Sequence, residues 1–168
     1  MRVLGIDCGS EYTGYGVVEE FGRGRLVCCA QGAIRPKGRD SMALKLHNIF
    51  STLSLIIAEH QPHCVAIEEV FYAVNVKSAL KLGHVRGVAM LAAAQAGLPV
   101  VAYSPLSIKL AVVGYGRAQK PQVQIMVARL LKLETLPEPT DVADALAIAI
   151  CHLHTAATLQ RQHATAQK

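Results

Sequence analysis

The stretch Val3-Leu4-Gly5-Ile6-Asp7-Cys8-Gly9-Ser10 decides the fold class of this chain. It is an apolar run that predicts a buried strand, ends in a single carboxylate and passes into a turn that contains glycine. In α/β proteins such a strand places the group at its end on the edge of the sheet. Asp7 is therefore a candidate site residue, although an acid at a strand end can also be an ordinary solvated side chain.

Four further apolar segments complete the predicted sheet. A glycine turn at 22–24 predicts an antiparallel hairpin, and a helical pattern before the fourth segment predicts a strand parallel to the first. The predicted strands are 2–7, 13–21, 26–35, 64–68 and 99–103, and the predicted helices are 41–60, 77–96, 106–113, 121–133 and 141–154. This order predicts an α/β fold with a mixed five-stranded sheet and helices on both faces.

The length of 168 residues predicts one domain over residues 1–154, followed by a polar, flexible tail over 155–168. Five cysteines make an odd count without a CxxC pair, which favours a reducing compartment and a cytoplasmic protein. The N-terminal apolar run is interrupted by Asp7, so no signal peptide is expected. The most apolar region, 87–103, contains Gln95, Gly97 and Pro99 and predicts a buried helix and strand, not a membrane span.

The charge of the chain predicts an anionic partner. The formal net charge is +5, and no Asp or Glu occurs between Glu69 and Glu134. A long span of one sign predicts a positive face, although scattered solvated side chains would give the same count. The basic residues of this span are Lys77, Lys81, Arg86, Lys109, Arg117, Lys120, Arg129 and Lys132.

Four acids stand at the ends of predicted elements. Asp7 and Glu68 end two strands that are expected to be parallel, while Asp141 and Asp144 share one face at the start of a helix. An acid at a helix start is also favoured by the helix dipole alone. Carboxylates that converge need a cation, and oxygen ligands favour Mg²⁺ or Mn²⁺. Two such ions can cleave a phosphodiester, so the residues predict a metal-dependent nuclease.

Several motifs carry a more specific resemblance. They are Gly5-Ile6-Asp7-x-Gly9-Ser10 with Thr13-Gly14-Tyr15-Gly16, Ala66-Ile67-Glu68-x-Val70-Phe71, Ser78-Ala79-Leu80-Lys81-Leu82-Gly83, Arg86-Gly87, Val113-Gly114-x-Gly116-x-Ala118-x-Lys120-x-Gln122-Val123 and Asp141-x-Ala143-Asp144-Ala145-Leu146-Ala147. In this order they resemble the RuvC family of bacterial Holliday junction resolvases from about residue 2 to 154. The resemblance implies an RNase H-like fold, a homodimer, Mg²⁺-dependent paired nicking of four-way junction DNA with two ions per active site, and work alongside RuvA and RuvB. It implies catalytic and metal-binding roles for Asp7, Glu68, Asp141 and Asp144.

The resemblance also implies DNA-binding residues. Phe71 follows Glu68 closely and suits stacking on an unpaired base. Lys109 and Lys120 stand where the family has basic residues near the scissile phosphate, and the other expected DNA contacts are Lys77, Lys81, Arg86 and Arg117. Cys8, His84 and Val74 depart from the family pattern. We expect Cys8 to be a neutral thiol that fills space, and we expect the histidines of residues 60–63 and 152–163 at the surface.

Two other functions are compatible with the residues alone. One is a different RNase H-like enzyme, either an RNA-processing nuclease or a phosphotransferase that binds ATP phosphates around Asp7. The other is a non-catalytic module that binds junctions. Four retained acids argue against the module, while the basic span and Phe71 favour junction DNA over ATP.

Overall fold

The computed structural model describes residues 1–22, 24–69 and 76–166, with side chains described as far as residue 156. The strands are β1 (Arg2–Asp7), β2 (Thr13–Phe21), β3 (Arg25–Ile34), β4 (Cys64–Glu68) and β5 (Val100–Tyr103). The helices are α1 (Met42–His60), α2 (Val76–Gln95), α3 (Pro105–Val113), α4 (Lys120–Leu131) and α5 (Thr140–Ala166).

The strands form one mixed sheet in the order β3-β2-β1-β4-β5. The pairs β1–β2 and β2–β3 are antiparallel, and the pairs β1–β4 and β4–β5 are parallel. The predicted hairpin, the predicted parallel strand and the predicted mixed sheet are therefore confirmed. Because β1 and β4 are parallel neighbours, their carboxyl ends meet at the same edge of the sheet.

Helices cover both faces of the sheet, as the sequence predicts. On one face α1 and α2 pack over Leu4 and Ile6 of β1. On the other face α5 crosses the central strands and is itself covered by α3 and α4. Residues Val142–Cys151 of α5 are buried except for Asp144, which is the pattern of a helix enclosed on all sides.

Glycines in β1 and β2 let α5 lie directly on the sheet. A Cβ atom on Gly5 would stand 2.1 Å from the carbonyl oxygen of Ala145, and one on Gly14 would stand 2.0 Å from the carbonyl oxygen of Asp141. Any side chain at these positions would push α5 away from the strands. The close approach brings the N-terminal turn of α5, with its two acids, against the end of β1.

The helix boundaries follow local signals. Ser41 caps α1, and its side chain accepts a hydrogen bond from the Leu44 N–H at 3.4 Å. Helix α4 begins at Lys120, beside Pro121, and ends where Lys132 adopts a positive φ of 53°. The apolar region 87–103 forms the end of α2 and the strand β5. In the part of the chain that the structure describes, no helix is long and apolar enough to cross a membrane.

The C-terminal helix is longer than the sequence predicts. Its predicted end near His154 is wrong, because α5 continues to Ala166. The segment is polar, but it contains mainly Ala, Gln, Leu and Arg, which are good helix formers, and no Gly or Pro. The division into a domain over 1–154 and a flexible tail stays a prediction.

Candidate active site

The first two acids lie side by side at the carboxyl ends of β1 and β4. The ladder between these strands pairs Ile6 with Ile67, one residue before each acid. Side chains alternate along a strand, and Val3 of β1 and Cys64 of β4 both pack in the core under α5. By the same alternation Asp7 and Glu68 project towards α5.

The other two acids come from the first turns of α5. Gly14 pairs with Asp7 in the sheet and touches the main chain of Asp141, so the start of α5 lies over the end of β1. Asp144 follows one turn later, and its Oδ2 atom lies 2.9 Å from the Nζ atom of Lys120 at the start of α4. The ion pair ties α4 to the acidic edge.

Three of the four acids line one cleft of about 240 Å³. Its charged walls are Asp7, Glu68, Asp144, Lys109 and Lys120, and the apolar walls are Pro105, Ile108, Val123 and Ile148. Asp141 instead lines a neighbouring polar cleft of about 390 Å³, between the 9–12 loop and the start of α2. The four acids are therefore divided between two clefts.

The cleft holds more negative charge than its surroundings neutralise. Burial, followed by the charges of Asp144, Glu68 and Asp141, raises the pKa of Asp7 to about 7. Burial, followed by Asp144, also raises the pKa of Glu68, while Lys120 and Lys109 oppose the rise. The hydrogen bond from Lys120 to Asp144 in turn raises the pKa of the Lys120 ammonium. Burial is the main cause of the two raised carboxyl pKa values, and the neighbouring acids add to it.

The donor set suits a hard divalent cation. All four candidate ligands are carboxylates, and oxygen ligands are those that Mg²⁺ and Mn²⁺ prefer. Within residues 1–22, 24–69 and 76–166, however, no group of three or more His, Cys, Asp and Glu side chains is arranged to hold a metal ion. Repulsion opposes a tight cluster of carboxylates without a cation, and Asp144 pairs with Lys120 instead. A cation would supply the missing positive charge.

The predicted basic residues occupy different surroundings. Lys109 and Lys120 line the acidic cleft. Lys77 and Lys81 are exposed on the first turns of α2, and Arg117 is exposed between α3 and α4. Arg86 is half-buried, and its guanidinium donates to the main-chain carbonyl of Glu68. Phe71 lies outside the described residues.

Two residues of the turn after Asp7 have a supporting role that the sequence analysis missed. The Thr13 side chain is fully buried, and its hydroxyl donates to the Gly9 carbonyl at 2.7 Å. A Cβ atom on Gly9 would stand 2.2 Å from the carbonyl oxygen of Tyr12. Together they hold the turn closed beside the acids. The available signal was a Thr at the first position of a strand directly after a Gly-Ser turn.

Cys8 lies on the face of the sheet opposite the cleft, where it packs with the core under α1 and α2. Burial, followed by the charge of Asp7, raises the pKa of the Cys8 thiol to about 12. The packing agrees with the predicted space-filling role, and the raised pKa favours the neutral form of the thiol. A neutral thiol at this position adds no ligand to the acidic site.

His152 is a correction to the predicted surface histidines. Its Nδ1 atom lies 2.9 Å from Tyr103 Oη, and its Nε2 atom lies 3.3 Å from Cys64 Sγ. Burial lowers the pKa of this imidazole. Spacing along α5 could not reveal this contact, because both partners come from strands far away in the sequence.

The sequence and the fold of this chain both match known proteins. The family model for "Crossover junction endodeoxyribonuclease RuvC" matches residues 3–152. A protein of that name from Koribacter versatilis (strain Ellin345) is 66% identical over 166 residues, which cover 99% of this chain and 100% of the relative. Its counterpart from Acidobacterium capsulatum is 58% identical over 168 residues and covers 96% and 98%. The solved structure "T. thermophilus RuvC in complex with Holliday junction substrate" superposes with a TM-score of 0.88 at 34% identity, covering 93% of this chain and 94% of that chain.

Proposed function

Because this chain belongs to the RuvC family of crossover junction endodeoxyribonucleases, we propose that its acidic cleft is the catalytic centre at which Holliday junctions are cut. The protein is an RNase H-like hydrolase that resolves Holliday junctions. Family membership decides against the ATP phosphotransferase, the RNA-processing nuclease and the non-catalytic module. The observation that carries the assignment of the centre is the meeting of Asp7, Glu68 and Asp144 in one cleft.

The family is metal-dependent, and the metal here is proposed to be Mg²⁺, with Mn²⁺ as a substitute. Asp7, Glu68, Asp141 and Asp144 would hold two ions. All four side chains are carboxylates, and Mg²⁺ prefers oxygen ligands. The raised pKa of Asp7 also supports this, because a bound cation would offset the burial and the neighbouring carboxylates that disfavour its charged form. When bound, the ions would activate a water molecule and stabilise the leaving alkoxide.

The lysines of the cleft prepare it for an anionic substrate. Lys120 and Lys109 oppose the rise in the pKa of Glu68, and Lys120 opposes the rise in the pKa of Asp7, so both lysines favour the ionised carboxylates. The same positive charges favour the approach of a phosphodiester to a site that would otherwise repel it. Lys120 pairs with Asp144 here, and a cation held by Asp144 would leave the Lys120 ammonium available to the phosphodiester.

DNA beyond the scissile phosphate is proposed to contact residues on both sides of the cleft. Lys77, Lys81 and Arg117 are exposed and would bind the phosphate backbone, which makes affinity sensitive to salt. Phe71 is proposed to stack on an unpaired base at the junction; it lies outside the described residues, and its support is the family motif. The bent junction, more than any base contact, would supply selectivity.

The protein is proposed to act as a homodimer through α2. Exposed small and apolar residues recur along one stripe of this helix: Leu80, Gly83, Gly87, Leu91 and Ala94. A twofold dimer would match the symmetry of a four-way junction and deliver two paired nicks. Leu91→Arg should give monomers in light scattering, whereas Leu55→Arg, at an exposed position of α1, should leave the dimer intact. A dimeric Leu91→Arg variant would contradict this seam.

Two further proposals concern the partner proteins and the cellular location. Work alongside the RuvA and RuvB branch-migration complex is supported by the family resemblance alone. A cytoplasmic location is supported by the DNA substrate and by five cysteines that are all free thiols.

The decisive experiment compares a synthetic mobile four-way junction with a linear duplex of the same sequence, in Mg²⁺ and in EDTA. We expect paired nicks in the junction only, and only with metal. Glu68→Gln should bind the junction without cutting it. Equal cutting of junction and duplex would contradict junction resolution, and normal cutting by Glu68→Gln would contradict the proposed centre.

A further inference from the structure

Arg86 occupies a position behind the acidic edge. It lies in the middle of α2, which packs on the face of the sheet opposite α5 and the cleft. Its side chain reaches the end of β4, where the Nη1 group donates to the main-chain carbonyl of Glu68. A charged donor makes this a stronger hydrogen bond than one between neutral groups.

The charge of Arg86 also reaches the end of β1. Burial and the neighbouring Asp7 raise the pKa of the Cys8 thiol, and Arg86 is the positive group that lowers it. The guanidinium therefore lies near Glu68 and near Cys8, the residue that follows Asp7. Its hydrogen bond reaches the end of β4 from the side of α2, away from the cleft.

The end of β4 needs such support because the sheet holds it on one side only. The parallel ladder to β1 ends at the pair Ile6–Ile67. The last bond on the other side joins the Glu69 N–H to the Tyr103 carbonyl at 2.8 Å. Rotation of the Glu68 main chain would swing its carboxylate out of the cleft, and the bond from Arg86 opposes that rotation.

We propose that Arg86 is a positioning residue that holds the Glu68 main chain so that its carboxylate faces the cleft, and not a contact to DNA. The inference rests on the proposed catalytic role of Glu68. It also links α2, the helix of the proposed dimer seam, to the active site. A displacement of α2 would therefore move the Glu68 main chain through the hydrogen bond from Arg86.

The test compares full-length Arg86→Gln and Arg86→Lys with Arg25→Gln, which removes an exposed arginine from β3. For Arg86→Gln we expect the single-turnover cleavage rate to fall by at least about tenfold, since small misplacements of catalytic groups are costly. The Mg²⁺ concentration for half-maximal rate should rise. Junction affinity in EDTA should stay within about twofold, with an unchanged salt slope. Arg25→Gln should match the wild type throughout.

Metal-free protein provides a readout that is independent of catalysis. Hydrogen exchange at the Glu69 amide should accelerate in Arg86→Gln, while melting shows that the variant is folded. Arg86→Lys keeps a charged donor and should recover most of the rate and of the exchange protection. If Arg86→Gln does not fold, the Lys variant carries the same comparison, with a smaller rise in the Mg²⁺ requirement expected.

Three results would overturn the inference. One is a normal rate and Mg²⁺ requirement in Arg86→Gln. Another is a loss of junction affinity with a shallower salt slope, which would make Arg86 a phosphate contact. The third is a loss of rate that is fully explained by a lower melting temperature and that Arg86→Lys does not recover. Glu68→Gln separates the proposed catalytic centre from the proposed role of Arg86. If Glu68→Gln cuts normally, the proposed centre is wrong. If Glu68→Gln is inactive while Arg86→Gln cuts normally, only the role of Arg86 is wrong.

Discussion

Replacement of Asp7 by Asn should abolish cleavage and stabilise the metal-free protein. Asp7 is the acid most strongly opposed by its surroundings: its pKa rises from 3.8 to about 7 because it is buried and faces three other carboxylates. A neutral amide of similar shape removes the buried charge and its repulsion. The variant should still bind a four-way junction, because the basic residues proposed to contact phosphate are unchanged.

The size of the stabilisation follows from the pKa. A shift of roughly three units, at about 1.4 kcal/mol per unit, predicts a gain of about 4 kcal/mol above pH 7. Since the folded pKa lies above the unfolded one, the wild-type chain loses stability at this group as pH rises from 3.8 to about 7. The gain of the variant should therefore be below about 2 kcal/mol at pH 5 and reach its full value near pH 8.

Urea unfolding in EDTA at pH 5 and pH 8, at one protein concentration, measures this difference. Glu59→Gln is the matched control, because its carboxylate is 74% exposed and its removal should change stability by less than about 0.5 kcal/mol. Mg²⁺ should raise the melting temperature of the wild type more than that of Asp7→Asn. A gain that does not depend on pH would refute the electrostatic argument, and near-normal cleavage would refute the metal-site assignment.

Three further predictions concern the surroundings of the site. Lys120→Gln should move the acid limb of the pH–rate profile to higher pH, because Lys120 lowers the pKa of Asp7; an unmoved limb would contradict that coupling. Gly5→Ala should lower the free energy of unfolding by about 1–3 kcal/mol or more, since its Cβ would overlap α5, whereas Gly38→Ala, in open space, should melt like the wild type. Because burial lowers the pKa of His152, the wild type should lose stability at this group as pH falls below 6.5, and His152→Gln should lack that loss in melts from pH 8 to pH 5.

Local patterns were sufficient for most of the fold. The bounds of β1, β2 and β4 agree with the prediction because apolar runs and glycine turns act over a few residues. The helix α5 was the exception at its C-terminal end, where polarity was taken as a sign of a tail although the residues are good helix formers. Polarity reports burial, and it does not by itself report backbone conformation.

The candidate site was only partly predictable. The meeting of Asp7 and Glu68 follows from two parallel strands, which the order of elements predicts. The division of the acids between two clefts depends on how α5 crosses the sheet, and that crossing is set by the close contacts at Gly5 and Gly14. Spacing along α5 treats Asp141 and Asp144 alike, whereas their surroundings differ.

By itself the sequence determined the order of strands and helices, the four acids at element ends and the family motifs, because each depends on neighbours in the chain. Tertiary structure alone decided that Arg86 supports the Glu68 main chain and that His152 joins two strands. It also decided that Asp7, Glu68 and Asp144 share one cleft, where Lys120 pairs with Asp144, while Asp141 lines another. The physical reason is the same in each case: the partners are distant in sequence, and only packing of helices on the sheet brings their atoms within bonding distance.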